Sequence, residues 1–295
     1  QSAARAADLP PRPRRITSST RGPSLSLSPS MFAMFSHVIE EVCGVCYGPA
    51  DVAILTSKLE TRMLELGYES LQDYYARLRH DDLEGIELHA LVETVLVHET
   101  YFFRELAPLA QLVNSHLAGV VRARGAARVW SAACSTGEEA FTLAMLLDDG
   151  GLLDRTSIVA SDVSASAIAV AKTGHHGARA LRDGHPPGLV RRYLRTRPNG
   201  GLAVVPRIRD AVQFQTLNLL DEDAVQGLGL FDAIVCRNVL IYFRDDRIAG
   251  VVDRLGRSLR PTGMIVVGVS ESLLRFGTGL VCEERGSSFF YRSAR

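Results

Sequence analysis

The chain has 295 residues, with 33 basic and 33 acidic side chains and a formal net charge of zero. That length holds one large domain or two smaller ones, each with its own core. Balanced charge excludes a whole-molecule basic field for nucleic acid, and runs such as MIVVGV are too short to cross a bilayer. Five cysteines, an odd number, fit a reducing compartment better than a disulfide framework.

Residues 1–30 stand apart. Prolines, serines and five arginines against a single Asp8 offer no apolar periodicity, which predicts a disordered tail without an assigned role. Its Arg- and Ser-rich, acid-poor composition resembles a transit peptide. Arg14-Arg15 resembles a twin-arginine signal, without the apolar stretch that should follow. Met31 is the candidate biological start.

From Met31 to about Ala110 the pattern is helical. In ILTSKLETRMLELG, Ile54, Leu55, Leu59, Met63, Leu64 and Leu66 recur at three- and four-residue steps, and Gly67 supplies a C-cap. SLQDYYARLRH, with Ser70 as N-cap, and IELHALVETVLV continue the pattern. A small all-helical domain is predicted over 31–110, with a linker over 111–126. Cys43 and Cys46 in CGVC have the spacing of half a zinc site, but no second CxxC or CxxH follows. A small-residue stretch of helix is the expectation there.

After RARGAA the register changes. RVWSAA, SIVASD, FDAIVCRN and MIVVGV are short apolar runs, and helical stretches such as EEAFTLAMLL, SAIAVAKTG and DRIAGVVDRLGRSL separate them. This alternation predicts an α/β domain over 127–295: right-handed βαβ units and a parallel sheet covered on both faces. One interruption, about 188–212, reads as an antiparallel hairpin insert with Asn199-Gly200-Gly201 at its turn. In RPTGMIVVG, Pro261 and Gly263 are placed in a turn before a late strand.

Ligands of open parallel sheets bind beyond the strands' carboxyl ends. The turn after the first strand is AACSTGEE, with Gly137 as its only glycine, so the dinucleotide fingerprint GxGxxG is absent. Ser135 and Glu138 have the spacing of a capping box, which accounts for one glutamate but leaves Glu139. A pyrophosphate beside two carboxylates is disfavoured by roughly 1 kcal/mol or more per close pair. S-adenosylmethionine, with an ammonium, a sulfonium and no phosphate, suffers no such penalty. Asp162 ends the second strand, where a carboxylate accepts both ribose hydroxyls. Asn218 in FQTLNLLDE offers an amide to an adenine edge. Arg237-Asn238 cap the apolar strand of FDAIVCRNVLIYF, and Tyr242 follows one helical turn later.

Four motifs in order, ETYFFRE (99–105), VWSAACSTGEE (129–139), FDAIVCRNVLIYF (231–243) and GVSESL (268–273), make residues 31–295 resemble the CheR-type methyltransferases. Those enzymes methylate glutamates on bacterial chemoreceptors. The resemblance implies a helical N-terminal domain before a Rossmann-like S-adenosylmethionine-binding domain with a small antiparallel β-subdomain. It places Thr100, Arg104, Glu139, Asp162, Asn218, Leu219, Arg237 and Asn238 at the cofactor, with Arg104 and Tyr242 beside the transferred methyl group. It further implies S-adenosylhomocysteine as product, no metal, and a cytoplasmic protein, taken to be a monomer. Its partners would be the helical region of chemoreceptors and, in some members, a receptor's C-terminal peptide gripped by the β-subdomain, with neither nucleic acid nor membrane insertion.

The chain departs from the family pattern in four places, one being that the hairpin TRPNGGLAVV lacks the GxG pattern of the peptide-gripping members. His98 stands where the family commonly has Asn, and GEEAFT replaces GEEPYS. The N-terminal domain, typically basic in the family, is acid-rich here, with only Lys58, Arg62, Arg77, Arg79 and Arg104 positive over 31–110. Lys58 and Arg62, four apart on one helix face, are the candidate docking stripe. A methyltransferase of another protein and a catalytically silent cofactor-binding module are the competing readings.

Overall fold

Three- and four-residue spacing of apolar side chains folds the first hundred residues into a helical unit. The computed structural model describes residues 26–198, 200–285 and 288–293; residues 1–25 of the predicted tail and Asn199 of the predicted hairpin turn lie outside them. Helix α1 (Pro29–Cys43) starts on Ser28, whose side chain accepts from Met31 N, and ends on Gly44 at φ +79°. Helix α2 (Val52–Leu66) ends on Gly67 at φ +77°. The N-cap of α3 (Leu71–Ala76) is Ser70, as expected, and α4 (Ile86–Val95) completes the unit. Phe35, Ile39, Leu55, Leu59, Met63, Tyr74, Leu91 and Val95 form its core. The buried stripe of α2 is narrower than its apolar content: Leu55, Leu59 and Met63 point inward, while Ile54, Leu64 and Leu66 face solvent.

The stretch 111–126, expected as a linker, is helical instead. Helix α5 (Leu106–Gln111) runs through a π-turn (Leu112–Leu117) into α6 (Ala118–Arg124). Leu109, Leu112, Val113, Leu117 and Val121 pack into the core of the sheet, not that of the helical unit. Their three- and four-residue spacing buries one face, so the crossover between cores falls near residues 96–105, ahead of the predicted 110. CGVC also departs from expectation: α1 stops at Cys43, Gly44 reverses the chain, and Cys46 lies beyond the helix.

The α/β part begins with β1 (Ala127–Ala132) and α7 (Glu138–Asp149), then β2 (Thr156–Asp162) and α8 (Ala165–Thr173). A three-stranded antiparallel sheet follows, formed by β3 (His175–His176), β4 (Leu194–Thr196) and β5 (Leu202–Val204), with α9 (Pro187–Tyr193) before β4 and α10 (Pro206–Arg209) after β5. The insert is therefore present but starts earlier than 188. Val212, its expected end, instead opens β6 (Val212–Thr216), paired parallel to β2 at the sheet edge. Next come α11 (Glu222–Gly227), β7 (Phe231–Cys236), α12 (Asp245–Arg257), β8 (Leu259–Val266), β9 (Leu280–Arg285) and β10 (Ser288–Ser293). Pro261 and Gly263 sit inside β8, not in a turn before it, where its register against β7 slips. A Cβ on Gly263 would stand 2.9 Å from Phe231 O, so the close approach there requires glycine.

The main sheet has the order β6-β2-β1-β7-β8-β10-β9. Strand β10 runs antiparallel to both neighbours; the pairs among β6, β2, β1, β7 and β8 are parallel. From β1 the chain winds first toward β6, then returns to β7 on the other side. The carboxyl ends of β1 and β7 are thus the switch point where an open α/β sheet leaves a crevice.

Candidate active site

The turn after β1 is held open by strained backbone. Ala133 and Ser135 have φ of +60° and +49°, a region that costs a residue with a Cβ about 1–3 kcal/mol. Asp162, at the end of β2, stabilises that shape: one carboxylate oxygen accepts from Ser135 N at 2.8 Å, the other from Ser164 N at 2.9 Å. Burial pushes the Asp162 carboxyl up, the two amide bonds and His98 pull it back, and the net shift is upward. His98 reaches the same turn, with Nδ1 3.5 Å from Ser135 Oγ.

The two glutamates of this turn have separate tasks. Helix α7 begins at Glu138 with Gly137 at φ +96° as its cap, so the predicted Ser135–Glu138 capping box does not form. Glu138 turns away into the protein, where it accepts from Thr136 Oγ1 at 2.7 Å and meets His176 Nδ1 at 3.0 Å. Glu139 faces the crevice. Ser131 Oγ donates to it at 2.7 Å and Arg237 Nη1 at 3.2 Å. Burial raises the Glu139 carboxyl despite the opposing pull of Arg237 and Ser131.

Arg237, just past β7, is buried, with its side chain 1% exposed. Besides Glu139 it donates to Glu105 Oε2 at 2.9 Å and to the Arg104 carbonyl at 2.9 Å. Glu105 also accepts from Val269 N at 3.2 Å; burial acts to raise its carboxyl, but these bonds and the Arg237 charge bring it below the ordinary value. Asn238 follows in the left-handed region at φ +58°. The next turn, Leu240–Tyr242, brings Tyr242 to the crevice, and burial raises its phenol. Arg104 enters from the crossover segment. Its Nη1 donates to the Glu99 carbonyl at 2.9 Å, and its guanidinium lies 5.6 Å from the Tyr101 ring, which Arg182 approaches at 4.0 Å.

One cavity of about 1080 Å³, mouth included, collects these groups. Thr100, Arg104, Glu139, Asp162, Asn218, Leu219, Arg237, Asn238 and Tyr242 all line it. Asn218 has a second engagement that its sequence position concealed: Nδ2 donates to the Val42 carbonyl at 2.6 Å and Oδ1 accepts from Leu220 N at 3.0 Å. The amide thereby ties α1 to the crevice. Lys58 and Arg62, the candidate docking stripe, lie elsewhere, on α2. Lys58 Nζ donates to Thr94 O at 2.7 Å, while Arg62 chelates buried Glu87 at 2.9 and 2.6 Å and meets Glu65 at 2.8 Å. Both cations hold α2 on α4.

Sequence reasoning left Glu105 and Glu271 without roles, although both lie in quoted motifs. Glu271 is 7% exposed and accepts from Asn238 N, Gly268 N and Ile241 N. The available signal for Glu271 was an acid set among small residues directly after the buried end of a strand.

Lining carboxylates Glu99, Glu139 and Asp162 outnumber the guanidiniums of Arg104 and Arg237. The donor set suits a ligand with a cationic end and disfavours a phosphate at the β1–α7 turn. S-adenosylmethionine fits those terms. Among the described residues no helix is long and apolar enough to cross a membrane, and no group of three His, Cys, Asp or Glu is placed to hold a metal ion.

Comparison with known proteins agrees with this geometry. Residues 98–282 match the family model "CheR methyltransferase, SAM binding domain" and residues 30–96 match "CheR methyltransferase, all-alpha domain". The two meet at the crossover between cores. Similar relatives include chemotaxis protein methyltransferase 1 of Pseudomonas aeruginosa, 34% identical over 84% of this chain and 92% of the relative. Chemotaxis protein methyltransferase Cher2 of Pseudomonas putida is 32% identical over 82% and 90%. The probable biofilm formation methyltransferase WspC of Pseudomonas putida is longer: 33% identity spans 87% of this chain and 60% of that protein. The fold and crevice are those of an S-adenosylmethionine-dependent methyltransferase. The chain belongs to the CheR methyltransferase family.

Proposed function

We propose that this enzyme transfers a methyl group from S-adenosylmethionine to glutamate side chains on the helical cytoplasmic region of bacterial chemoreceptors, forming methyl esters. The observation that carries this reading is one cavity with two differently charged sides. Asp162 and Glu139 line one, and Arg104 with Tyr242 lines the other. Similarity to chemotaxis protein methyltransferases over nearly their whole length supports the choice of substrate.

Asp162, Glu139, Thr100, Asn218, Leu219 and Asn238 would hold the cofactor, whose sulfonium supplies an electrophilic methyl group. The acceptor carboxylate, with a pKa near ~4.3, is already ionised at neutral pH, so no residue has to remove a proton. The protein's work is alignment and exclusion of water. Arg104 has N–H donors beyond the one given to Glu99 and orients the incoming carboxylate through charge-assisted bonds. Tyr242 keeps its proton at neutral pH, since burial raises the phenol, and is able to donate a hydrogen bond to the acceptor.

Docking of the acidic substrate is better supported on the insert than on α2. Between His175 and Arg209 the chain carries eight arginines and one acid, Asp183. The ion pairs formed there belong to Arg182, Arg192, Arg207 and Arg209, while Arg191 and Arg195 stay exposed. Strand β4 is an outer strand of the small sheet, and such an edge would accept a receptor's C-terminal peptide as an added strand.

The test is incubation with radiolabelled methyl donor and receptor-containing membranes, followed by mild alkali. Volatile label released as methanol is the expected result; label that resists alkali refutes esterification. The likeness to the WspC protein favours a second reading, a receptor serving a process other than motility. Base-labile label on another lysate fraction, and none on chemoreceptors, would select it.

A further inference from the structure

Tyr242 is carried by a turn that has little regular structure of its own, so something else must hold it in place. Strand β7 ends at Cys236, Asn238 adopts a left-handed backbone at φ +58°, and Leu240–Tyr242 is a single 3₁₀ turn. Three backbone amides around this turn converge on one side chain. Glu271 Oε2 accepts from Asn238 N at 2.6 Å and from Gly268 N at 2.8 Å, and Oε1 accepts from Ile241 N at 3.3 Å. The same residue's amide donates to Gly268 O at 2.9 Å, closing the 268–271 turn on itself. Gly268 is required by this arrangement, since a Cβ there would stand 2.7 Å from Glu271 Oε2 and 2.8 Å from Asn238 Nδ2.

We infer that Glu271 is a positioning residue for methyl transfer: its carboxylate fixes the strained Asn238–Ile241 backbone and thereby sets the place of Tyr242. This rests on the role given to Tyr242 in the proposed reaction. Three features support it. The carboxylate is acceptor-only when ionised, so both oxygens suit a cluster of N–H donors. Its bonds span the loop from the strand end to the residue before Tyr242, which no single backbone carbonyl there does. The left-handed backbone of Asn238 is less favourable than a right-handed one even for asparagine, and the Glu271 bond to its amide helps to hold it. Glu271 is not among the residues lining the crevice, so its effect passes through the loop and not through contact with substrate.

Glu271→Gln in the full chain keeps the shape but leaves one oxygen. If that oxygen serves Asn238 and Gly268, the new NH₂ group opposes Ile241 N–H, donor against donor. The expected result is a kcat lower by roughly ten- to a hundredfold, the cost of a misplacement near 1 Å, and a larger loss for Glu271→Ala. S-adenosylmethionine affinity by calorimetry should fall clearly less than kcat, because Asp162 and Glu139 sit on other elements and of the cofactor group only Asn238 lies on the loosened loop. Combined with Tyr242→Phe, the loss should be smaller than the product of the single losses, as for two groups acting in one unit. Amide hydrogen exchange should show lost protection at 238, 241 and 268. Wild-type kcat in a folded Glu271→Ala variant would overturn the inference. So would retained protection at those three amides, a parallel fall of cofactor affinity and kcat, or strict additivity with Tyr242→Phe. The exchange and calorimetry arms need no acceptor protein. If wild type methylates no receptor, it is the substrate reading that fails, and those two arms still judge Glu271.

Discussion

The two sides of the crevice are built by different means. On the β1–α7 side, the proposed recognition groups sit on or next to regular elements: Asp162 at the end of β2 and Glu139 in the first turn of α7. On the Arg104–Tyr242 side they sit on irregular backbone, with Phe103, Glu105 and Asn238 all at positive φ. Toward the crevice the first side presents Asp162 and Glu139, and the second presents Arg104 and Tyr242. Buried Arg237 couples them, bonding Glu139 on one side and Glu105 on the other. A reaction between a cationic donor and an anionic acceptor needs this separation of charge, since either side's groups facing both reactants would hold one and repel the other.

Breaking the coupling should give the largest effect. Arg237→Ala leaves Glu105 and Glu139 without their shared cation in a buried place, a loss of about 3–5 kcal/mol. Denaturant unfolding checks it, and a change under 1 kcal/mol would show that the two sides stand independently. Next in size, Arg104→Ala removes the proposed acceptor-side cation, whose guanidinium pairs with no carboxylate among the described residues. Turnover should fall by roughly a hundredfold, with thermal stability little altered. An unchanged rate of ester formation would remove Arg104 from the reaction.

The opposite side is tested through binding and pH. Asp162→Ala should weaken S-adenosylmethionine by about 1–3 kcal/mol in calorimetry. The pH dependence has a defined sign. Burial places the folded Asp162 carboxyl above its ordinary 3.8, against the pull of the Ser164 and Ser135 amides and His98. A cationic ligand prefers the ionised form, so affinity is full above the raised value and declines as pH falls through it, starting before an ordinary aspartate would protonate. For stability the sign reverses. Between 3.8 and the raised value the folded chain binds more protons than the unfolded one, so this group's contribution improves as pH drops through that window. Cofactor affinity flat down to pH 4 would contradict the placement of Asp162 at the ligand.

How far each side was legible follows from its construction. The β1–α7 side was readable because its acids lie at strand ends and helix starts, places that hydrophobic periodicity locates. Even so, which of Glu138 and Glu139 faced the crevice was settled by His176, a partner 38 residues away that no local spacing could supply. The other side was legible only as a resemblance to known motifs. Glu105 and Glu271 act through bonds to residues more than 30 positions away, Arg237, Val269 and Asn238. The internal partners of Lys58 and Arg62 were hidden for the same reason. The four-residue spacing placed them on one face, and that face meets α4, where Thr94 O accepts from Lys58 and Glu87 pairs with Arg62. The linker over 111–126 was lost by stopping the helical pattern at 110, although Leu112, Val113, Leu117 and Val121 continue it.

The smallest effect tests whether the helical unit belongs to the crevice or merely precedes it. Asn218 Nδ2 donates to Val42 O at 2.6 Å, and Cys46 N donates to Tyr242 O at 2.8 Å, so α1 and the segment after it touch both sides of the crevice. Gly44 lies between them, where an added Cβ would meet the Phe243 ring at 3.1 Å. Asn218→Ala leaves Val42 O to find water and should cost about 1 kcal/mol of stability. If the helical unit forms part of the cofactor site, that cost appears with a several-fold loss of S-adenosylmethionine affinity and an increase in proteolysis near residues 44–48. If the variant loses stability alone and binds the cofactor as wild type does, the unit is a separate domain resting on the crevice, and the amide of Asn218 serves the fold and not the ligand.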